Sequence, residues 1–172
     1  LGDALISAGS PITFHVHGRL EAVNMGQNFL VFIDFAHTPD GLENVLKSLK
    51  PYKRNRLVVI FGCGGERDKD KRPKMGRLAS EYCDFVYVTS DNPRSEDPLT
   101  IAQEVRDGFP ENYHSFALVL DRRKAIRQAL LKAQEGDIVL LAGKGHETTQ
   151  VMGDRVIRFS DREEVERVLS GR

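Results

Sequence analysis

The sequence predicts an α/β fold in which a mostly parallel sheet carries helices on both faces. Five short, apolar, β-rich runs occur along the 172 residues, and each of the first four is followed by an amphipathic helical pattern. The runs end 27, 29, 30 and 22 residues apart, which is the length of one strand plus a crossover helix. They span residues 29–34, 57–61, 85–90, 116–120 and 138–142. Nearly continuous apolar strands are typical of a parallel sheet covered on both sides, so we predict a single doubly wound, Rossmann-like domain.

Capping signals place helices after these runs. Residues able to cap a first helical turn stand before four helical patterns: Thr38, Asp97, Asp121 and Ser160. Pro39 and Pro98 follow two of these caps at the first helical position, and Pro73 is expected to open the second helix. Each pattern repeats apolar residues every three or four positions, which predicts one buried stripe per helix. In the second helix that stripe is Met75, Leu78, Ala79 and Tyr82.

Two further β segments flank the core strands. Residues 18–23 are expected to form a strand that leads, through a turn, into the first apolar run. Residues 151–159 surround Gly153-Asp154, a dipeptide that suits a tight turn, and we expect an edge hairpin there.

Composition argues against several classes of function. The 25 Lys and Arg residues balance 25 Asp and Glu residues, so the chain has no general attraction for nucleic acid or an anionic membrane surface. No apolar run approaches the roughly 20 residues that span a bilayer. Cys63 and Cys83 fit neither a disulfide framework nor a metal-binding spacing, which favours a cytoplasmic setting with both thiols buried. Because the chain begins with Leu1, we expect it to be a piece of a longer protein.

The unusual residues of the sequence collect in the loops that follow the predicted strands. In a doubly wound sheet, ligands bind beyond the carboxyl ends of the strands, near the point where strand order reverses. The loops at those ends are residues 34–39, 62–68, 91–94, 121–123 and 143–147. Three glycines within residues 62–65 would let the backbone approach a ligand closely. The shared location of these loops predicts one ligand site.

The charges in these loops are of mixed sign. Arg67, Arg94 and Lys144 accompany Asp91 and Glu147. Arginine can bind a carboxylate through two parallel hydrogen bonds, whereas Asp and Glu suit an ammonium group. The combination therefore favours a zwitterion such as an amino acid over a bare nucleotide.

Two common nucleotide-binding motifs are missing. The P-loop pattern fails because Ile138 stands where its first glycine is required and Gly145 where Ser or Thr is required. The dinucleotide fingerprint fails because Arg67 replaces its third glycine. If the protein uses a nucleotide, most of the phosphate contacts must come from elsewhere.

Several of these signals also have a purely structural explanation. His37 can cap or orient its own loop, and Asp91-Asn92-Pro93 is an ordinary turn sequence. The charged segment Lys69–Arg72 is expected to be a solvated loop.

Taken together, five segments resemble the Mur ligase family, in sequence and in order. They are Gly18-Arg19-Leu20-Glu21, Asp34-Phe35-Ala36-His37-Thr38-Pro39-Asp40, Gly62-Cys63-Gly64-Gly65-Glu66-Arg67-Asp68, Asp91-Asn92-Pro93-Arg94 and Gly143-Lys144-Gly145-His146-Glu147. The resemblance is to the C-terminal domain of these ligases. The fourth segment is similar to the recognition motif of members that add meso-diaminopimelate.

The resemblance implies one Mur ligase C-terminal domain over residues 1–172, with residues 1–17 as a hinge or linker from a missing central domain. It implies an ATP-dependent amide ligase of peptidoglycan synthesis that joins meso-diaminopimelate to UDP-MurNAc-L-Ala-D-Glu. ATP and Mg²⁺ would be bound mainly by the missing central domain. We therefore expect the isolated chain not to catalyse ligation.

The resemblance also implies roles for individual residues. The expected diaminopimelate site comprises Arg67, Asp91, Asn92, Pro93, Arg94, Gly143 and Glu147. Its arginines and Asn92 would hold the distal carboxylate, and Gly143 and Glu147 the ammonium end. Arg19 would reach the terminal phosphate of ATP and Asp34 its ribose, while His37 would line the reaction centre as the catalytic residue. No metal ligand is expected within the chain.

The chain departs from the family pattern at two positions, and other functions stay open. His17 stands where members usually carry proline, and Phe35 replaces a common tyrosine. The alternatives are a lysine-adding Mur ligase, a folylpolyglutamate synthetase-like domain and a non-catalytic amino-acid-binding module.

Overall fold

The computed structural model describes residues 20–171, and a six-stranded sheet forms its centre. The sheet has the order β1-β2-β6-β3-β4-β5, in which β1 is antiparallel to β2 and the other neighbours are parallel. Its strands are β1 Glu21–Ala22, β2 Leu30–Asp34, β3 Leu57–Phe61, β4 Phe85–Val88, β5 Phe116–Leu118 and β6 Ile138–Ala142. The predicted parallel sheet is confirmed. Residues 18 and 19 of the predicted first strand lie outside the described residues.

Helices cover both faces of the sheet, as predicted. They are α1 Pro39–Leu49, α2 Lys71–Tyr82, α3 Pro98–Arg106, α4 Arg122–Lys132 and α5 Asp161–Ser170, with a short 3₁₀ turn at Lys50–Tyr52. The buried stripes of α1, α2 and α3 pack in one core layer, and those of α4 and α5 pack in the other. The strands between them are buried on both sides, which explains why their sequences are nearly continuous apolar runs.

The capping predictions are confirmed at four helices, and the start of α2 differs. Thr38, Asp97, Asp121 and Ser160 each accept a hydrogen bond from a backbone amide of the helix that follows. Helix α2 begins at Lys71, two residues before the predicted Pro73. Proline is tolerated there because the amides of a first helical turn have no partner within the helix.

The order of the strands brings the chemically unusual loops together. The chain moves outward from β3 to β5, returns through α4 on the opposite face, and inserts β6 between β2 and β3. The carboxyl ends of β2, β6, β3 and β4 consequently lie side by side at one edge of the sheet. Because β5 is parallel to β4, the same edge carries all five predicted loops.

The predicted hairpin is present, but it is separate from the main sheet. Strands β7, Thr149–Met152, and β8, Arg155–Arg158, pair only with each other among the named strands. An isolated bridge between Met152 and Arg94 instead attaches the hairpin to the loop after β4. No helix within residues 20–171 is long and apolar enough to cross a membrane.

Candidate functional site

The loops after β3 and β4 pack backbone against backbone. The Gly65 amide donates to the Asn92 carbonyl oxygen at 2.8 Å. A Cβ atom on Gly65 would lie 1.8 Å from the carbonyl oxygen of Pro93, and one on Gly62 would lie 2.0 Å from that of Thr89. These glycines therefore serve a close approach of two backbones, a structural role that the sequence left open beside ligand binding.

A buried ammonium group joins three polar side chains at this edge. Lys144 is fully buried, and its Nζ atom lies 3.0 Å from Oε2 of Glu147. The same atom lies 3.2 Å from Oδ1 of Asn92 and 3.3 Å from Oδ1 of Asp91. Two carboxylates surround one ammonium, so the cluster carries one uncompensated negative charge when all three groups are ionised.

The Asn92 side chain contacts both the loop after β6 and the hairpin. Its Nδ2 atom donates to Oε2 of Glu147 at 3.1 Å, and its Oδ1 atom accepts from the amide of Val151 at 2.9 Å. The hairpin also holds the preceding residue, because Nε2 of Gln150 donates to the Asp91 carbonyl oxygen at 2.7 Å. Strand β7 thus fixes the loop after β4, a contribution that no sequence signal indicated.

Arg94 adopts a backbone conformation that is rare for a residue with a side chain. Its φ angle is 53°, in the left-handed region. Hydrogen bonds to the hairpin maintain this conformation, since the Arg94 amide donates to the Val151 carbonyl and the Gly153 amide donates to the Arg94 carbonyl. Unusual backbone conformations of this kind cluster at functional sites.

Arg67 and Arg94 both lie next to Gly64. A Cβ atom built on Gly64 would lie 3.1 Å from Nη1 of Arg94 and 3.6 Å from Cγ of Arg67. Arg94 is half-buried and donates to the Gly65 carbonyl oxygen at 2.7 Å. Arg67 is exposed and forms no ion pair with any residue between 20 and 171. The missing side chain at Gly64 leaves room for both arginines beside it.

Arg72 corrects one prediction, because it is fully buried and does not lie in a solvated loop. Its Nη1 atom donates to Oε2 of Glu96 at 2.9 Å and to Oε2 of Glu104 at 2.5 Å, and Nη2 donates to the carbonyl oxygen of Gly64 at 3.1 Å. The hydrogen bond from Arg72, followed by one from the Glu66 amide, lowers the pKa of Glu96 to about 2. Arg72 therefore stabilises the glycine-rich loop of residues 62–65 through its hydrogen bond to the Gly64 carbonyl oxygen.

Another buried ion pair lies between α4 and α5, on the opposite face of the sheet from Arg72. Arg122 and Asp161 are both fully buried and form two parallel hydrogen bonds of 2.7 Å. Nη2 of Arg122 also donates to the carbonyl oxygen of Ala142, the last residue of β6. This pair connects α4 and α5 to the strand that leads into the loop of Gly143 and Lys144.

Gly143 lies at the same edge of the sheet as Asp91. Its φ angle is 108°, and a Cβ atom there would lie 3.9 Å from Oδ2 of Asp91. The Gly143 amide donates to the Asp34 carbonyl oxygen at 3.0 Å, which connects the ends of β6 and β2. The structure therefore places Gly143 beside Asp91, and Asn92, Pro93, Arg94 and Glu147 lie in loops at the same edge of the sheet.

Two of the residues predicted to face ATP and the reaction centre, Asp34 and His37, lie at the end of β2 and in the loop that follows it. The Asp34 carboxylate accepts from the amides of Leu20 at 2.8 Å and Ala36 at 2.7 Å, and so fixes the backbone on two sides. His37 is exposed, and its Nδ1 atom lies 2.8 Å from the Phe35 carbonyl oxygen. Arg19 lies outside the described residues. The contacts of Arg19 and Asp34 with ATP and the position of His37 at the reaction centre stay predictions.

The cysteines are buried, and they form no metal-binding cluster with acidic or histidine side chains in the described part of the chain. Between residues 20 and 171, no group of three His, Cys, Asp or Glu side chains could hold a metal ion. Burial raises the pKa of the Cys63 thiol to about 12 and also raises that of Cys83. Both thiols are buried, as predicted.

Comparison with known proteins identifies the family. The sequence profile described as "Mur ligase, glutamate ligase domain" matches residues 18–145. The chain belongs to this family. The resemblance carried by the five loop segments is thereby confirmed.

Two similar curated proteins share one name, UDP-N-acetylmuramoyl-L-alanyl-D-glutamate--2,6-diaminopimelate ligase. The one from Caldanaerobacter subterraneus is 50% identical over 155 residues, which are 90% of this chain and 32% of that protein. The one from Clostridium perfringens is 46% identical over 159 residues, which are 91% of this chain and 32% of that protein. This Mur ligase chain spans about a third of the length of these relatives.

Solved structures agree with the fold. A structure of a ligase with the same name matches with a TM-score of 0.86 and 40% identity, over 92% of this chain and 32% of that one. A bifunctional folylpolyglutamate synthase/dihydrofolate synthase from Yersinia pestis matches with a TM-score of 0.58 and 22% identity, over 75% of this chain and 28% of that one. The second similarity supports the fold alone.

Proposed function

We propose that this chain is the C-terminal domain of UDP-N-acetylmuramoyl-tripeptide synthetase, the Mur ligase that adds meso-diaminopimelate during peptidoglycan synthesis. The names of the relatives at 46–50% identity support this proposal. Residues 1–17 would be the linker from the central domain. The remaining domains would precede this chain in a cytoplasmic enzyme.

The main support for the proposal is that groups of opposite charge lie on two sides of Asn92. On one side, the Arg94 guanidinium lies 3.4 Å from the Asn92 carbonyl oxygen, and the exposed Arg67 also lies next to Gly64. On the other side, Asn92 Nδ2 donates to Glu147. A zwitterion would place its distal carboxylate toward the arginines and its ammonium toward Glu147.

The chemistry follows from the family reaction. ATP phosphorylates the side-chain carboxylate of D-glutamate in UDP-MurNAc-L-Ala-D-Glu. This first step forms ADP. The amine of diaminopimelate then attacks the acyl phosphate to give a tetrahedral intermediate, from which phosphate leaves. Arg19 and Asp34 would contact the nucleotide and His37 would line the reaction centre, whereas ATP and Mg²⁺ would be held mainly by the central domain. Closure of this domain would exclude water from the acyl phosphate.

Selectivity against lysine would depend on Arg94. Lysine lacks the distal carboxylate, so bound lysine would leave the half-buried guanidinium without its anionic partner. Arg67 would contribute less to this selectivity because its exposed side chain stays hydrated.

The test is a ligation assay on the complete reading frame that contains this chain. ADP release is measured with ATP, UDP-MurNAc-L-Ala-D-Glu and either meso-diaminopimelate or L-lysine. We expect diaminopimelate to be the better substrate, and Arg94→Gln to lower its kcat/KM roughly 100-fold. The control is Arg77→Gln, since Arg77 is exposed on α2 and pairs only with Glu81 among the described residues.

The outcomes separate the alternatives. Preference for L-lysine would favour a lysine-adding ligase, and glutamate addition to a folate substrate would favour a folylpolyglutamate synthetase. Amino-acid binding without ADP release by the complete protein would favour a non-catalytic module. Turnover by the 172-residue chain alone would contradict the need for a central domain.

A further inference from the structure

We propose that Lys144 is a positioning residue that sets the selectivity for a distal carboxylate by fixing the side-chain amide of Asn92. This inference rests on the proposed function and adds a determinant that does not itself touch the amino acid. It follows from three features of the site: the saturation of the ammonium group, the orientation of the amide and the charge of the cluster.

The ammonium group of Lys144 has no donor left for a ligand. A protonated lysine has three N–H donors, and three side-chain acceptors surround this one: Asp91, Asn92 and Glu147. The side chain is also fully buried. Lys144 therefore acts through its neighbours.

The orientation of the Asn92 amide follows from its two donors. Oδ1 accepts from Nζ of Lys144 at 3.2 Å and from the Val151 amide at 2.9 Å. A reversed amide would place its NH₂ group against both of these donors, which is unfavourable. Without Lys144, only the Val151 amide would oppose the reversed orientation.

The orientation decides what Asn92 offers a ligand. One N–H of its NH₂ group points to Glu147, and no acceptor among residues 20–171 takes the other. A free N–H donor on Asn92 suits a carboxylate, whereas the carbonyl oxygen of a reversed amide would repel one. Lys144 thus specifies a donor at this point of the site.

The charge of the cluster acts in the same direction. With Lys144, the two carboxylates of Asp91 and Glu147 leave one net negative charge when ionised. Without Lys144 they would leave two, which favours a cationic ligand and disfavours one with an additional carboxylate. Loss of the lysine is therefore expected to reduce discrimination, not merely binding.

The test compares Lys144→Met with wild type in the complete ligase. We expect kcat/KM for meso-diaminopimelate to fall roughly 10- to 100-fold, and its ratio to that for L-lysine to fall at least about tenfold. The KM for ATP should change less than about twofold, because Asp34 and His37 are held by other contacts. The matched control is Lys53→Met, which removes a salt bridge to Asp84 at the opposite edge of the sheet.

A measurement on the wild-type chain tests the amide directly, even if the variant fails to fold. A hydrogen-bond scalar coupling between the Val151 amide nitrogen and the side-chain Cγ of Asn92 is expected by NMR. Its absence, with the coupling to other backbone acceptors visible, would overturn the inference. Unchanged selectivity in folded Lys144→Met would do the same, whereas a wild-type enzyme that ignores diaminopimelate would instead contradict the proposed function.

Discussion

Gly65 lies so close to Pro93 that no other residue fits at its position. A Cβ atom there would stand 1.8 Å from the Pro93 carbonyl oxygen and 2.7 Å from its carbon. Backbone atoms cannot yield as the end of a flexible side chain can. The contact therefore fixes the distance between the loop that carries Arg67 and the loop that carries Asn92 and Arg94.

Gly65→Ala is expected to force these two loops apart. We predict a loss of about 1–3 kcal/mol in the free energy of unfolding, with loss of diaminopimelate binding. Chemical denaturation and calorimetry measure the two effects. Gly171→Ala is the control, because a Cβ atom there makes only ordinary contacts of 3.7 Å and longer. Equal stability of the two variants would contradict the packing argument.

Removing one member of the Arg122–Asp161 pair should destabilise the fold more than replacing both members with apolar residues. Arg122→Met leaves the Asp161 carboxylate buried without its partner, and we predict a loss of about 3–5 kcal/mol in unfolding free energy. The double variant Arg122→Met/Asp161→Leu should recover most of that loss because neither charge of this pair stays buried. Denaturation of both variants in urea tests this, and a double variant no more stable than the single one would argue against it.

The interaction of Glu96 with Arg72 should make stability depend on acid pH. The folded pKa of about 2 lies below the ordinary value of 4.5, so the unfolded chain binds more protons between these values. The stabilising contribution of the Glu96 carboxylate to the free energy of unfolding is therefore complete above pH 4.5 and is lost as the pH falls to about 2. The stability difference between wild type and Glu96→Gln should shrink over that range. Glu111→Gln, at an exposed carboxylate without an ion pair among residues 20–171, should show no such change.

Both cysteines should resist thiol reagents in the folded protein. Burial raises the pKa of Cys63 to about 12 and raises that of Cys83, so little thiolate forms at pH 8. We expect no reaction with a disulfide reagent under native conditions and reaction of both thiols in denaturant. Fast modification of the folded chain would contradict the buried positions.

Local sequence signals predicted the elements well because their causes are local. Thr38 and Pro39 mark the start of α1 through a side-chain cap and a fixed φ angle, and both act within one helical turn. The nearly continuous apolar run of β6 likewise follows from burial on both faces. The location of the site at the strand ends follows from the same parallel topology.

The hydrogen bonds of the buried Arg72 and Lys144 side chains were not predictable in the same way, because their partners are distant in the sequence. Arg72 finds Glu96 and Glu104 at separations of 24 and 32 residues, so helical periodicity could not reveal that a charged side chain is buried. Lys144 meets Asp91 and Asn92 at separations of 53 and 52 residues. Such contacts depend on strand order, which the spacing of apolar runs does not determine.

The most direct test of the proposed amino-acid site is an amide NMR titration of the chain with meso-diaminopimelate and, separately, with L-lysine. We predict shifts confined to residues 64–67, 91–94 and 143–147 with diaminopimelate, and much smaller shifts with lysine. Equal responses to the two amino acids, or no response in these loops from a well-dispersed spectrum, would contradict the proposed site.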